Sequence, residues 1–150
     1  MVCLDLSRRA QAIKNLINFF LILMKVLLIE DDKFLRTVLE RKLLSEGFEV
    51  ISATNGEEAL EKIISDKPDI ILLDIILPKK NGFMILENIK KDPELRRIPV
   101  LIMSNLGQEE DIKKGISLGA NEYFVKAKVS LDDIIKKIKE FVFSPGGGIR

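Results

Sequence analysis

Hydrophobic and polar positions along the chain follow two alternating periods from Lys25 onward. Short apolar runs recur at 25–29, 48–53, 69–73, 98–103 and 122–125, with the length and composition of β-strands. Between them apolar residues return every three or four positions, near 33–46, 56–65, 82–91, 108–118 and 130–142, the spacing of amphipathic helices. The alternation predicts an α/β fold of five βα repeats around a doubly wound parallel sheet. The first and third runs are nearly all Val, Ile and Leu, as strands covered on both faces must be.

Local punctuation agrees with that pattern. Leu131, Ile134, Ile135, Ile138, Phe141 and Val142 share one helical face, Ser130 stands where an N-cap belongs, and Asp132 and Asp133 follow in the first turn. Gly47 sits just past the first helix of the repeat, where a left-handed residue closes a helix. Pro68 and Pro99 fall at strand entries, where a missing N–H costs little. The pattern bounds a domain at 24–143, with an extension at 1–23 and a flexible Gly-rich tail at 144–150.

Residues 1–23 stand outside the repeat. A basic stretch with Arg8, Arg9 and Lys14 precedes an apolar one from Leu16 to Met24. The apolar stretch is short for a membrane span and lacks the small-residue cleavage site of a secretory signal. Two readings stay open, an accessory amphipathic helix that could touch a membrane surface or partner, and a mis-assigned start. The second is favoured, because Met24 opens the first strand cleanly.

Composition narrows the chemistry. The chain has 150 residues, 47% hydrophobic and 31% charged, with a net charge of +1. That suits one globular domain and supplies no basic field for direct nucleic-acid binding. The single cysteine, Cys3, excludes an internal disulfide and a thiolate cluster. With no histidine in the chain, every His-based triad, general base and zinc site is excluded. Catalysis here must use carboxylates, lysine, hydroxyls and a hard metal.

Those groups stand at the ends of the apolar runs. The first run leads into Glu30, Asp31 and Asp32, the third into Asp74, the fourth into Ser104 and the fifth into Lys126. In a parallel sheet these ends share the edge where open α/β sheets bind ligands. Two carboxylates 4 Å apart repel by about 4 kcal/mol near a protein surface, so the cluster calls for a divalent cation. Mg²⁺, with Mn²⁺ as an alternative, takes carboxylates, waters and phosphate oxygens. Such a site suits phosphoryl transfer, with Asp74 as nucleophile, Lys126 as a point charge and Ser104 as a donor to the phosphoryl group.

The motifs are specific enough to resemble a family. Leu28 to Asp32, Leu72 to Pro78 with Asn81 and Gly82, Met103 with Ser104, and Gly119 to Lys126 together resemble the receiver domain of two-component response regulators over Met24–Val142. The resemblance implies a flavodoxin-like sheet order 2-1-3-4-5 and phosphorylation of Asp74 by a sensor histidine kinase or a histidine phosphotransfer protein. It implies a metal held by Asp31, Asp74 and the backbone carbonyl of Ile76, with Glu30 often acting through water. It also implies a switch in which Ser104 and Tyr123 couple phosphorylation to the face of the fourth helix, fifth strand and fifth helix of the repeat. Two positions depart from the family pattern. Ala127 follows Lys126 where proline with a cis peptide is usual, so the loop is either trans or strained. Asn105 follows Ser104 where a small residue is usual.

Ile76 and Leu106, each two residues beyond a site residue, are expected to exclude hydrolytic water and prolong the acyl phosphate. The chain is expected to act as a cytoplasmic phosphoacceptor without an output domain, signalling to an unknown downstream protein. A phosphatase of the haloacid dehalogenase type would need an acid at position 76, and a flavodoxin would need a Gly/Ser/Thr-rich first loop. A receiver that is never phosphorylated is disfavoured by the intact acceptor set. The lysines at 136, 137 and 139 read as a solvated face.

Overall fold

The computed structural model describes residues 2–143; the Gly-rich tail at 144–150 lies outside the described residues. Helix α1 (Val2–Ile22) precedes strand β1 (Lys25–Ile29), followed by α2 (Lys33–Ser45), β2 (Glu49–Ala53), α3 (Gly56–Asp66) and β3 (Ile70–Leu73). Then come α4 (Gly82–Lys91), β4 (Val100–Ser104), α5 (Glu109–Ser117), β5 (Glu122–Val125), a 3-10 turn (Lys126–Lys128) and α6 (Leu131–Phe143). The strands form one parallel sheet in the order β2-β1-β3-β4-β5.

Alternation along the central strands divides the core in two. Leu27, Ile29, Ile71, Leu73 and Ile102 face α3 and α4 through Ala59, Ile63, Phe83, Ile85, Leu86 and Ile89. Val26, Leu28, Ile70, Leu72, Leu101 and Met103 face α2 and α6 through Leu39, Leu43, Ile134, Ile135 and Ile138. β1 and β3 are therefore buried on both faces, which is why their sequences show no polar alternation.

The predicted repeats all form, with ends shifted by one or two residues. β4 extends to Ser104 itself. The predicted caps also form. Ser130 and Asp133 exchange hydrogen bonds at the start of α6, the serine hydroxyl accepting from the Asp133 N–H at 3.1 Å and the aspartate from the Ser130 N–H at 3.2 Å. These bonds hold the Asp133 carboxyl below the usual range. Gly47 takes φ +97°.

Residues 2–22, outside the repeating pattern, form α1. Its anchor is Leu21, which is buried and packs with Met24 in the α2/α6 half of the core. Leu6, Ile13, Leu16, Phe19, Ile22 and Leu23 are exposed. No helix among the described residues is long and apolar enough to cross a membrane. The lysines of α6 are largely paired: Lys137 meets Glu122 and Glu140, and Lys139 meets Glu46.

Glu58 provides a pH test of the fold. Its carboxylate accepts from the Thr54 N–H at 2.9 Å and the Thr54 hydroxyl at 3.0 Å, and pairs with Lys62 at 2.9 Å. The backbone bond first, then Lys62, lowers its pKa from the usual 4.5 to about 2. A depressed acid pKa adds stability above the unfolded value, and that stability disappears as pH falls through the folded one. Urea unfolding should therefore show wild type losing its advantage over Glu58→Gln between pH 4.5 and about 2. A constant difference across that window would contradict this account.

Candidate functional site

Strand register assembles the site. Ile29 pairs with Leu73, so Glu30 and Asp74 leave neighbouring strands at one level. Leu73 pairs with Ile102 and Ser104 with Val125, which brings Ser104 and Lys126 to the same edge.

The acidic loop after β1 is organised by α2. The Asp32 side chain caps that helix, accepting from the Leu35 N–H at 2.8 Å. This use turns Asp32 away from the cluster. Glu30 is fully buried, and its Oε1 accepts from the Asp32 N–H at 3.0 Å. Asp31 is exposed at the mouth. Carboxylate oxygens of Glu30, Asp31 and Asp74 lie within 4.8 Å of one another.

Asp74 is 4% exposed, with Oδ1 accepting from the Ile76 N–H at 3.2 Å and Oδ2 from Lys126 Nζ at 2.8 Å. The loop beneath it is closed by α4. The Gly82 N–H donates to the Ile75 carbonyl at 2.8 Å, and a Cβ at Gly82 would fall 2.4 Å from the Asp74 carbonyl oxygen. Asn81 caps α4 by accepting from the Phe83 N–H at 2.8 Å.

Lys126 is the counter-charge. Its ammonium lies 2.7 Å from Glu30 Oε2 and 2.8 Å from Asp74 Oδ2, with its side chain 14% exposed. Burial alone would lower its pKa, but the bonds to Asp74 and Glu30 prevail and raise it. Burial, reinforced by the Asp74 charge, lifts the Glu30 carboxyl above its usual range despite Lys126. One ammonium facing three carboxylates leaves the cluster negative. Glu30 Oε2 is buried against the Lys126 ammonium, which Asp74 shares. An all-oxygen cluster of three carboxylates is a donor set suited to a hard cation.

On the other side, Ser104 is fully buried, and its hydroxyl accepts from the Leu106 N–H at 3.3 Å. Tyr123 is 9% exposed and donates to the Leu106 carbonyl at 2.6 Å. Burial first, then the charges of Asp111 and Asp74, raises its phenol pKa, while the Ser104 hydroxyl opposes that rise. Ser104 and Tyr123 thus meet at the backbone of one residue. Ile76 is 55% exposed at the mouth, and Leu106 is half-buried.

The structure brings together Glu30, Asp31, Asp74, Ser104 and Lys126, with Ile76 and Leu106 on the flanks. The described peptide bonds are all trans, so Lys126-Ala127 enters a 3-10 turn while its lysine still reaches both acids. Two roles went unread in the sequence: Gly82 as the floor of the Asp74 loop, and Arg36, whose guanidinium donates to the carbonyls of Glu30 and Asp31. The only sequence signal for Arg36 was its place one helical turn beyond Asp32.

This fold and site define a known class. The family profile described as response regulator receiver domain matches residues 26–139, and the chain belongs to that family. It is 37% identical over 102 residues to the probable transcriptional regulator ycf27 of Guillardia theta, covering 68% of this chain and 39% of that protein. It is 39% identical over 102 residues to the transcriptional regulatory protein CpxR of Escherichia coli K12, covering 68% and 42%. The chain thus spans about two-fifths of the length of these curated relatives. Among solved structures, the phosphorylated cyanobacterial phytochrome response regulator RcpA superposes with TM-score 0.71 at 35% identity, covering 81% of this chain and 94% of that one. The Mn²⁺-bound response regulator Rcp1 gives TM-score 0.71 at 28% identity, covering 81% and 96%.

Proposed function

We propose that Asp74 accepts a phosphoryl group from a histidine kinase or histidine phosphotransfer protein in a divalent-metal-dependent reaction. The observation that carries this reading is the buried Asp74 carboxylate, held from one side by Lys126 and clustered on the other with Glu30 and Asp31. An Asp74 oxygen attacks phosphorus, the P–N bond to the donor imidazole breaks, and an acyl phosphate forms. Lys126, already between Glu30 and Asp74, meets the charge that develops on the phosphoryl oxygens. The backbone N–H of Ile76 holds the other Asp74 oxygen, so the nucleophile is oriented before the donor arrives.

Glu30, Asp31, Asp74 and the Ile76 carbonyl would hold Mg²⁺ or Mn²⁺. When bound, the cation neutralises the carboxylates and the incoming phosphoryl oxygens. The Mn²⁺-bound state of Rcp1 supports the assignment. The phosphorylated state of RcpA supports the acceptor role.

Residues 24–143 form the receiver unit in this reading, acting in the cytoplasm, with residues 1–23 accessory to it. Ser104 and Tyr123 carry phosphorylation to the face of α5, β5 and α6, where a downstream protein binds or a phosphorelay continues. The shared link of both side chains to Leu106 supports that coupling. Direct nucleic-acid contact is not part of the reading, since the net charge is only +1.

Intact-mass measurement of the chain with acetyl phosphate and Mg²⁺ tests the reading. One added phosphoryl group, lost with EDTA, is expected. No addition with Mg²⁺ would refute it. The same assay, followed over time, tests Ile76. Ile76→Asn should shorten the acyl-phosphate lifetime by roughly tenfold, because a polar side chain at the mouth can orient water where Ile76 excludes it, an effect smaller than the roughly 100-fold low end of general-base assistance, since asparagine orients the water without taking its proton. An unchanged lifetime would rule that role out.

A further inference from the structure

Arg36 on α2 touches no candidate reacting group, yet it holds the backbone from which two of the acids project. Its Nη1 donates to the Glu30 carbonyl at 3.0 Å and to the Asp31 carbonyl at 3.2 Å. Its own backbone N–H donates to the Asp32 carbonyl at 2.9 Å, so one residue binds three successive carbonyls of the acidic loop. The guanidinium also makes a long ion contact with an acid of its own helix. Nε lies 3.9 Å from Glu40 Oε1, and the same Glu40 oxygen accepts from the Ser52 hydroxyl on β2. The Arg36 side chain is only 18% exposed, so water substitutes poorly for these bonds.

We infer that Arg36 is a positioning residue for the acidic cluster, fixing the peptide planes of Glu30 and Asp31 so that their carboxylates converge with Asp74. The inference rests on the metal-dependent reading above and adds a residue to it. The chemistry requires an arginine. A single nitrogen of a planar, permanently charged guanidinium spans two adjacent carbonyls while Nε faces Glu40. The cation also stands behind the loop, where it attenuates the mutual repulsion of the acids without competing for their oxygens. A lysine would keep the charge but could not face the carbonyls and Glu40 in this fixed geometry.

The test uses the full chain, wild type, Arg36→Lys and Arg36→Gln. Isothermal titration with Mg²⁺ reads affinity, and amide hydrogen exchange without metal reads order at Asp31 and Asp32. Outer groups that orient metal ligands typically account for 10–100-fold in affinity, so Arg36→Gln should weaken Mg²⁺ about 10-fold or more. Arg36→Lys should fall between Gln and wild type. In both variants exchange at Asp31 and Asp32 should accelerate while the β3 and β4 amides stay protected, which a general loss of fold would not produce. Arg36→Gln with wild-type Mg²⁺ affinity and wild-type exchange would overturn the inference. If wild type itself binds no Mg²⁺, the metal reading fails. Hydrogen exchange then still decides whether Arg36 orders the loop.

Discussion

Lys126→Met is expected to destabilise the metal-free protein by about 3 kcal/mol, the low end of the cost of leaving a buried charge unpaired. The ammonium lies 2.7 Å from Glu30 Oε2 and 2.8 Å from Asp74 Oδ2, and these carboxylates are 0% and 5% exposed at the side chain. Methionine preserves much of the stem but leaves two neighbouring acids without their cation. The low end applies because burial already raises the Glu30 pKa, which eases uptake of a proton once the ammonium is gone. The variant's deficit should therefore shrink toward acid pH. In wild type the sign at high pH is opposite to that of an acid. The Lys126 pKa is raised on folding, so its contribution is complete below the ordinary value of 10.5 and is lost as pH rises through the folded one. Saturating Mg²⁺ should restore part of the loss, since a ligand of the native state stabilises by mass action. Urea unfolding in EDTA and in Mg²⁺ measures each term. A Lys126→Met protein as stable as wild type in EDTA would show that the ion pair does not hold the site together.

Gly82→Ala is the second large effect, and its cause is steric. The added methyl would lie 2.4 Å from the Asp74 carbonyl oxygen and 2.6 Å from Ile75 Cα. Both are backbone atoms and cannot rotate away. Either α4 retreats, breaking the 2.8 Å bond from the Gly82 N–H to the Ile75 carbonyl, or the Asp74 peptide moves. Overpacking of this kind costs about 3 kcal/mol. Displacement of the acceptor by about 1 Å can slow transfer by roughly 100-fold. Urea unfolding and the rate of phosphoryl incorporation should both change. If neither does, the close approach of α4 to the loop is not what sets the position of Asp74.

The fold was legible because hydrophobic burial on both faces of a parallel sheet leaves a coarse signal. β1 and β3 could be read directly from unbroken Val, Ile and Leu. Glu30, Asp31, Asp74, Ser104 and Lys126 were legible for a related reason: charged or polar residues directly following apolar runs have few places to go except a common edge. What escaped was geometry that residue type does not encode. Asp32 resembles its two acidic neighbours in sequence, and only the start of α2 makes it a cap. Gly82 reads as an ordinary loop-to-helix glycine until the Asp74 carbonyl is seen against it. Arg36 is indistinguishable in sequence from a solvated arginine, because its partners are backbone carbonyls. The extension at 1–23 broke the repeating pattern and gave no partner for its apolar side chains. α1 accordingly meets the core through Leu21, next to Met24 at the entry to β1.

The central claim is that the acyl phosphate forms on Asp74 and on no other acid of the cluster. Borohydride reduction after treatment with acetyl phosphate and Mg²⁺ converts an aspartyl phosphate to homoserine, which peptide mass spectrometry locates. Homoserine at position 74 in wild type, and none anywhere in Asp74→Asn, is the predicted result. Homoserine at position 31, or undiminished labelling in Asp74→Asn, would contradict it.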